Sequence, residues 1–244
     1  MKLIADLHIH LAGTAPCDQI AGQIAAQAAQ RGLILAALTD HLPKTSNIHC
    51  AWSPADQAVL PETQNGVRFL CGAEADISAC GALIAPTQAL AGAQLVVAAM
   101  HPYCAAPGSR RAHTEAFEAA LKSPYTDILA HPMDAPYPFD EERIVALAAR
   151  LGKPLELNAL SERSDPQCRQ AQQRLAKLAA QYGAPLVVSS DAQRPEQVGD
   201  FGAIPYWLDD LGIAQTLVVN AGASQLAAFL ARVRARKQEA GIWN

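Results

Sequence analysis

Ala5-Asp6-Leu7-His8-Ile9-His10 sets two imidazoles two residues apart at the end of a short apolar run. In a strand, residues i and i+2 face the same side, with their Cα atoms about 6–7 Å apart. Both rings can then reach one ion at about 2.0–2.1 Å. The same arrangement, a short apolar run ending in a polar residue, returns along the chain. Strands are predicted at Leu3–Leu7, Leu33–Leu38, Val67–Ala73, Leu95–Met100, Asp127–Ala130, Lys153–Leu157 and Pro185–Ser190, with a short extra one at Ala82–Ala85. Between them lie helical patterns: one capped by Asp18 and carrying Ile20, Ile24 and Ala28, then His113–Lys122, Asp140–Leu151 and Gln167–Tyr182, with Ala223–Arg236 closing the chain. Residues 44–65, with Pro54 and Pro61, read as loop. Some seven strand-helix units without a Gly-x-Gly-x-x-Gly turn favour a closed parallel barrel over a dinucleotide-binding sheet.

Length and composition agree. A chain of 244 residues is long for one domain, but barrels of this kind reach that size, so a single domain over residues 1–244 is expected. Hydrophobic residues at 50% against 17% charged suit a large core, and a net charge of −4 leaves no footprint for a nucleic-acid backbone. Asp6 interrupts what would be the apolar core of a secretory signal, and no run nears the roughly 20 residues of a membrane span. A cytoplasmic protein acting on a small diffusible substrate is expected, with a homo-oligomer left open. The six cysteines, Cys17, Cys50, Cys71, Cys80, Cys104 and Cys168, form no Cys-x-x-Cys pair and are expected to be reduced.

The candidate ligands have a positional logic. His8, His10, His41, Glu74, His101, His131 and Asp191 each fall at the C-terminal end of a predicted strand, and in a barrel those ends converge on the rim that carries the chemistry. His49 and His113 lie elsewhere and read as surface residues. Imidazoles mixed with carboxylates suit Zn, Mn or Fe. Seven candidates are too many for one ion, since a catalytic ion needs about three protein ligands and an open position. Two ions follow, with Glu74 as the natural bridge. Such a pair lowers the pKa of a bound water, generating a hydroxide nucleophile, and neutralises charge on a phosphoryl oxygen.

These residues resemble the PHP (polymerase and histidinol phosphatase) superfamily. Asp6-Leu7-His8-Ile9-His10, Thr39-Asp40-His41, Gly72-Ala73-Glu74, His101-Pro102, Leu129-Ala130-His131-Pro132, Leu155-Glu156-Leu157-Asn158 and Ser190-Asp191-Ala192 match its motifs in order. The closest likeness is to its small stand-alone bacterial phosphatases, to which the tail Val218-Val219-Asn220-Ala221-Gly222-Ala223 is also similar. The resemblance implies a distorted (β/α)7 TIM-like barrel. It further implies one metal on His8, His10, Glu74 and Asp191, and a second on Glu74, His101 and His131. A third metal in that superfamily uses His41, an early histidine and the histidine of an Asp-x-His ending. Here the early position falls near Ala15-Pro16-Cys17 and the ending is Asp191-Ala192-Gln193, so a two-metal centre is expected, with the third site weak or empty. His41 is then freed to donate a proton to the leaving group, and Cys17 reads as an inert thiol ahead of a substitute ligand.

Arg110, Arg111 and Arg194, with Arg163, are candidates for holding phosphate, since a guanidinium grips it bidentately. Asp6, Asp40 and Glu156 are candidates for orienting ligand rings. The leading expectation is a metal-dependent phosphoesterase acting on a small phosphorylated metabolite or nucleotide. An amidohydrolase ranks second, because its usual bridging lysine is replaced here by Glu74. A barrel kept as a binding or regulatory module without turnover is a third reading, and a nuclease of the same superfamily is disfavoured by the acidic balance.

Overall fold

The structure is a computed structural model that describes residues 1–10, 17–42 and 61–243. The expectations for His49, for the loop within residues 43–60 and for the thiol of Cys17 lie outside the described residues. Seven strands run parallel in the order β1 (Ala5–Ile9), β2 (Leu35–Leu38), β4 (Val67–Ile77), β6 (Leu95–Ala99), β7 (Ile128–Leu129), β8 (Leu155–Asn158) and β9 (Leu186–Ser189). Two short antiparallel strands, β3 (Thr63–Gln64) and β5 (Leu83–Ile84), pair with β4. Runs such as Leu95-Val96-Val97-Ala98-Ala99 are buried throughout, as strands covered on both faces must be. The helices are α1 (Cys17–Gln30), α2 (Thr87–Gly92), α3 (Arg110–Lys122), α4 (Glu141–Leu151), α5 (Ala159–Ser164), α6 (Pro166–Tyr182), α7 (Ile204–Asp210) and α8 (Ala223–Glu239).

The sheet curls into a nearly closed barrel. Near the C-terminal rim His10 N–H donates to Ala192 O at 2.8 Å. Lower down, the strands are joined by the segment before α8: Val219 N–H donates to Leu186 O, and Ile4 N–H to Asn220 O. The Asn220 amide completes the seam by donating to Ala5 O and Val188 O, both at 2.7 Å, and accepting from Val188 N–H at 3.2 Å. The inner layer includes Ala5, Leu7, Leu95, Val97 and Val187, and Leu226, Phe229 and Val233 of α8 pack into the same cluster as a floor.

Several expectations need correction. The third long strand does not stop before Glu74 but runs on to Ile77, so Glu74 and Asp76 stand within β4, two residues apart. β3 lies where loop was expected, and α2 and α5 were unanticipated, because helices of six residues leave too little periodicity to read. His113 is buried rather than on the surface: Nε2 accepts from Gly108 N–H at 2.7 Å and Nδ1 donates to Pro138 O at 2.9 Å. Asp6 orients no ligand ring. Its carboxylate accepts from Ser190 N–H and Oγ–H and from Gly199 N–H, tying β1 to the segment after β9. Among the described residues, no helix is long and apolar enough to cross a membrane.

Replacing Asn220 by alanine strips two buried carbonyls of their donors. At about 1–3 kcal/mol for each buried group left unsatisfied, Asn220→Ala should lower unfolding stability by about 2–4 kcal/mol, measured by urea denaturation.

Candidate metal centre

Between Leu7 and Ile9 the alternation of β1 breaks. Ala5 and Leu7 belong to the inner cluster, yet Ile9 packs in the outer one, where the β1–β2 register shifts. A bulge re-aims side chains, and this one sends His8 and His10 into the cavity with their Nε2 atoms 3.2 Å apart. Two bare imidazole nitrogens so close are stable only if something positive lies with them.

Glu74 is the centre of the cluster. Its Oε2 lies 3.5 Å from His8 Nε2, 3.4 Å from His10 Nε2 and 3.2 Å from His41 Nδ1. Its Oε1 lies 3.5 Å from His101 Nε2 and 3.2 Å from His131 Nε2. Asp191 Oδ1 is 3.2 Å from His10 Nε2 and 3.8 Å from His8 Nε2. His8, His10 and Asp191 form one group with ligand atoms within 4.8 Å of one another, and Glu74, His101 and His131 form another. All seven residues expected at the site are thus brought together at one rim.

Four of the five rings share a second feature. The Nδ1 of each lies beside a carboxylate: His8 is hydrogen-bonded to Glu156 at 2.8 Å and His101 to Asp76 at 2.6 Å, while His131 lies 3.1 Å from Asp134 and His10 3.5 Å from Asp40 as ion-pair contacts, the first of them without hydrogen-bond geometry. A carboxylate can only accept, so where it bonds Nδ1 it holds a proton there and leaves Nε2, the nitrogen that a metal would claim, directed inward. That donor set, imidazole nitrogens and carboxylate oxygens converging on one space, fits divalent Zn, Mn or Fe. Glu156 and Asp40 perform the orienting role expected of them. Asp76 and Asp134 were missed, although Asp76 was within reach, two residues beyond Glu74 on one strand.

The second layer continues outward. Glu156 Oε2 accepts from His131 N–H at 2.8 Å and from the Asn158 amide at 3.0 Å, and the same amide donates to Asp191 Oδ2 at 3.0 Å. Gln193 donates its amide to Asp191 Oδ1 at 2.9 Å. His131 and Asp191 take positive φ values of 26° and 52°, a region costly for non-glycine residues and common at functional sites.

Charge follows from this packing. Burial opposes a charged His8, but the negative charges of Glu156, Asp191 and Glu74 outweigh it and raise the ring well above its ordinary value. His10 is pushed up to about 9, burial being overcome by Asp191, Asp40 and Glu74. Glu74 and Asp191 are both lowered: burial works against them, and the histidines prevail. His41 is lowered, by burial first. The site is a trap for positive charge.

A cavity of about 410 Å³ opens onto the centre, its outer wall including Asp134, Ser161, Asp165, Cys168 and Gln193. The structure does not bring the candidate phosphate-binding arginines there. Arg110 donates to Phe139 O, Arg111 pairs with Glu115, Arg163 bonds Asp200 O and Ser190 O, and Arg194 is exposed. None of the four is among the residues lining the cavity, although Ser161 and Ser164 on the helix of Arg163 and Gln193 beside Arg194 are.

No family model matches the chain. It is 30% identical over 241 residues to a probable phosphatase of Acetivibrio thermocellus, covering 97% of this chain and 98% of that one. A probable phosphatase of a Thermoanaerobacter species is 32% identical over 233 residues, covering 94% and 95%. Among solved structures, histidinol phosphate phosphatase from Lactococcus lactis, complexed with Zn, L-histidinol and phosphate, superposes with a TM-score of 0.56 at 15% identity, over 98% of this chain and 94% of that one. At that identity it supports the fold alone.

With His10 near 9 folded and near 6.5 unfolded, the folded chain holds an extra proton between those values. The stability this contributes is full below about 6.5 and is lost as pH rises through about 9. Urea denaturation of the metal-free protein in chelator should show that decline. Added Zn should restore the loss, since an ion replaces the departing protons.

Proposed function

The chain belongs to the family of PHP-type phosphatases, and from that kinship we propose that it hydrolyses the phosphate ester of a small metabolite or nucleotide at a centre of two divalent ions. One observation carries this reading: four imidazoles, each with a carboxylate beside its Nδ1, turn Nε2 toward the two oxygens of a single buried glutamate. His8, His10, Asp191 and Glu74 would hold one ion, and Glu74, His101 and His131 the other. The ions supply Lewis acidity toward a phosphoryl oxygen and lower the pKa of a water.

This chain's own residues do the rest. Glu74 gives one oxygen to each histidine group, which fixes their separation. Asp191 is steadied by Asn158 and Gln193 from two sides. Gln193 turns its NH2 to that carboxylate and leaves only a neutral carbonyl oxygen, a weak ligand, where a third ion would need one, which supports two ions rather than three. His41 differs from the other rings because its Nδ1 faces the cavity, 3.2 Å from Glu74 Oε2. Once protonated on both nitrogens, a ring that donates inward is suited to give its Nδ1 proton to the departing alkoxide and return to neutral imidazole.

Purified protein should hydrolyse an aryl phosphate with Mn or Zn and lose that turnover in chelator. Stoichiometric metal without turnover would favour the binding-module reading. Glu74→Ala should retain less than one ion per chain by elemental analysis and lose about 10³-fold in kcat/KM, the several kcal/mol an ion pair supplies. Glu156→Gln, which touches no ion, should weaken metal affinity by about 10–100-fold, and unchanged affinity would remove the orienting role.

A further inference from the structure

We propose that Tyr103 is the positioning residue for His41, holding that ring with its proton on Nδ1 and aimed at the cavity. The inference rests on the reading of His41 as a donor to the leaving group. Tyr103 follows β6 at the rim, 54% exposed, and has no part in either metal-facing group. Its hydroxyl donates to Asp76 Oδ1 at 3.2 Å, the oxygen that also receives His101 Nδ1–H at 2.6 Å. A phenol has one proton. With that proton committed to Asp76, its oxygen can only accept from His41 Nδ1, 3.4 Å away.

The phenol plane is fixed as well. The ring lies parallel to His101, centroids 5.1 Å apart with 6° between planes, and edge-on to His41 at 6.4 Å and 76°. His41 Nδ1 therefore has two neighbours, Glu74 Oε2 and the Tyr103 hydroxyl, and both accept. Once Glu74 is engaged elsewhere, the tyrosine is the remaining fixed acceptor, and it preserves both the tautomer and the direction of the N–H. Asp76 links the two histidines: it sets His101 directly and His41 through the phenol.

Tyr103→Phe keeps the stacked ring and removes only the hydroxyl. In the metal-loaded enzyme assayed with an aryl phosphate, kcat should fall about fivefold, as for one neutral hydrogen bond, with KM and metal content unchanged. In a His41→Ala background the same substitution should cost nothing further, because coupled residues are non-additive. Long-range 15N–1H spectra of the metal-free protein should show His41 protonated on Nδ1 in the wild type and a tautomer mixture in Tyr103→Phe. An undiminished loss in the His41→Ala background, lost metal, or an unchanged His41 spectrum would overturn the proposal. If wild-type protein turns over nothing with metal, the hydrolase reading fails instead, and the spectra still decide the placement of His41.

Discussion

Everything at the rim depends on one buried carboxylate that faces five imidazoles. Glu74 is nearly inaccessible to solvent, and burying a bare carboxylate is costly unless positive charge surrounds it. The histidines supply that charge when protonated and supply ligands when they are not. Neither state is self-sufficient: protonated rings crowd one another, as the 3.2 Å contact between His8 and His10 shows, and neutral rings leave Glu74 and Asp191 unbalanced. A divalent ion satisfies both demands, because it neutralises the carboxylates and draws on the Nε2 lone pairs. The orienting carboxylates sharpen this by holding the outer proton on Nδ1, so that the proton displaced by an ion is the inward one on Nε2.

The barrel is organised to hold such a site against its own cost. His131 and Asp191 sit at positive φ, each costing about 1–3 kcal/mol for a non-glycine residue. Glu156 offsets the first by accepting the His131 backbone N–H, and Asn158 and Gln193 anchor the carboxylate of the second. Glu156 and Asn158 lie two residues apart on β8, so a single strand without a metal-facing side chain braces ligands from β1, β7 and β9. Gly72 makes room for the bridge two residues before it: a Cβ there would lie 2.7 Å from Thr39 Cγ2 and 2.8 Å from Leu95 O. Below, Asn220 and Asp6 close the seam between first and last strands, without which the first and seventh ligand positions could not meet.

The parallel barrel and the seven converging side chains were legible because both follow from repetition: apolar runs of strand length, each ending in a polar residue. Pattern failed wherever a side chain's direction depended on its neighbours. His8 and His10 do share a side as their spacing predicts, but the bulge in β1 breaks the alternation between Leu7 and His8, and nothing in Leu7-His8-Ile9 announces it. Asp76 escaped notice because its strand, β4, was ended at Ala73, four residues short of Ile77, and Glu74, which looked like a stop, proved to be mid-strand. Asp6 had the right type for orienting a ring, but its carboxylate is taken up by Ser190 and Gly199. The arginines lie outside the described cavity lining for a related reason: position after a strand indicates the rim, whereas the direction of a long side chain is set by local acceptors such as Phe139 O and Glu115.

Among the described residues that line the cavity there is no guanidinium, which bears on how a phosphate would be held. The charged residues in the described cavity lining, apart from histidine, are Glu74, Asp134, Asp165 and Asp191, all acidic. The two segments outside the description, residues 11–16 and 43–60, contain in sequence a single formal cation, Lys44. A phosphate dianion approaching such a surface meets repulsion, and the negative field that raises His8 and His10 would expel it. Only after ions fill the centre does that field reverse. On the proposed reading, metal and substrate would be coupled in binding as well as in chemistry, since the ions that would polarise a phosphoryl group would also be what attracts it. An arginine clamp would let phosphate bind without metal, and a site of this composition makes that unproductive state electrostatically unfavourable.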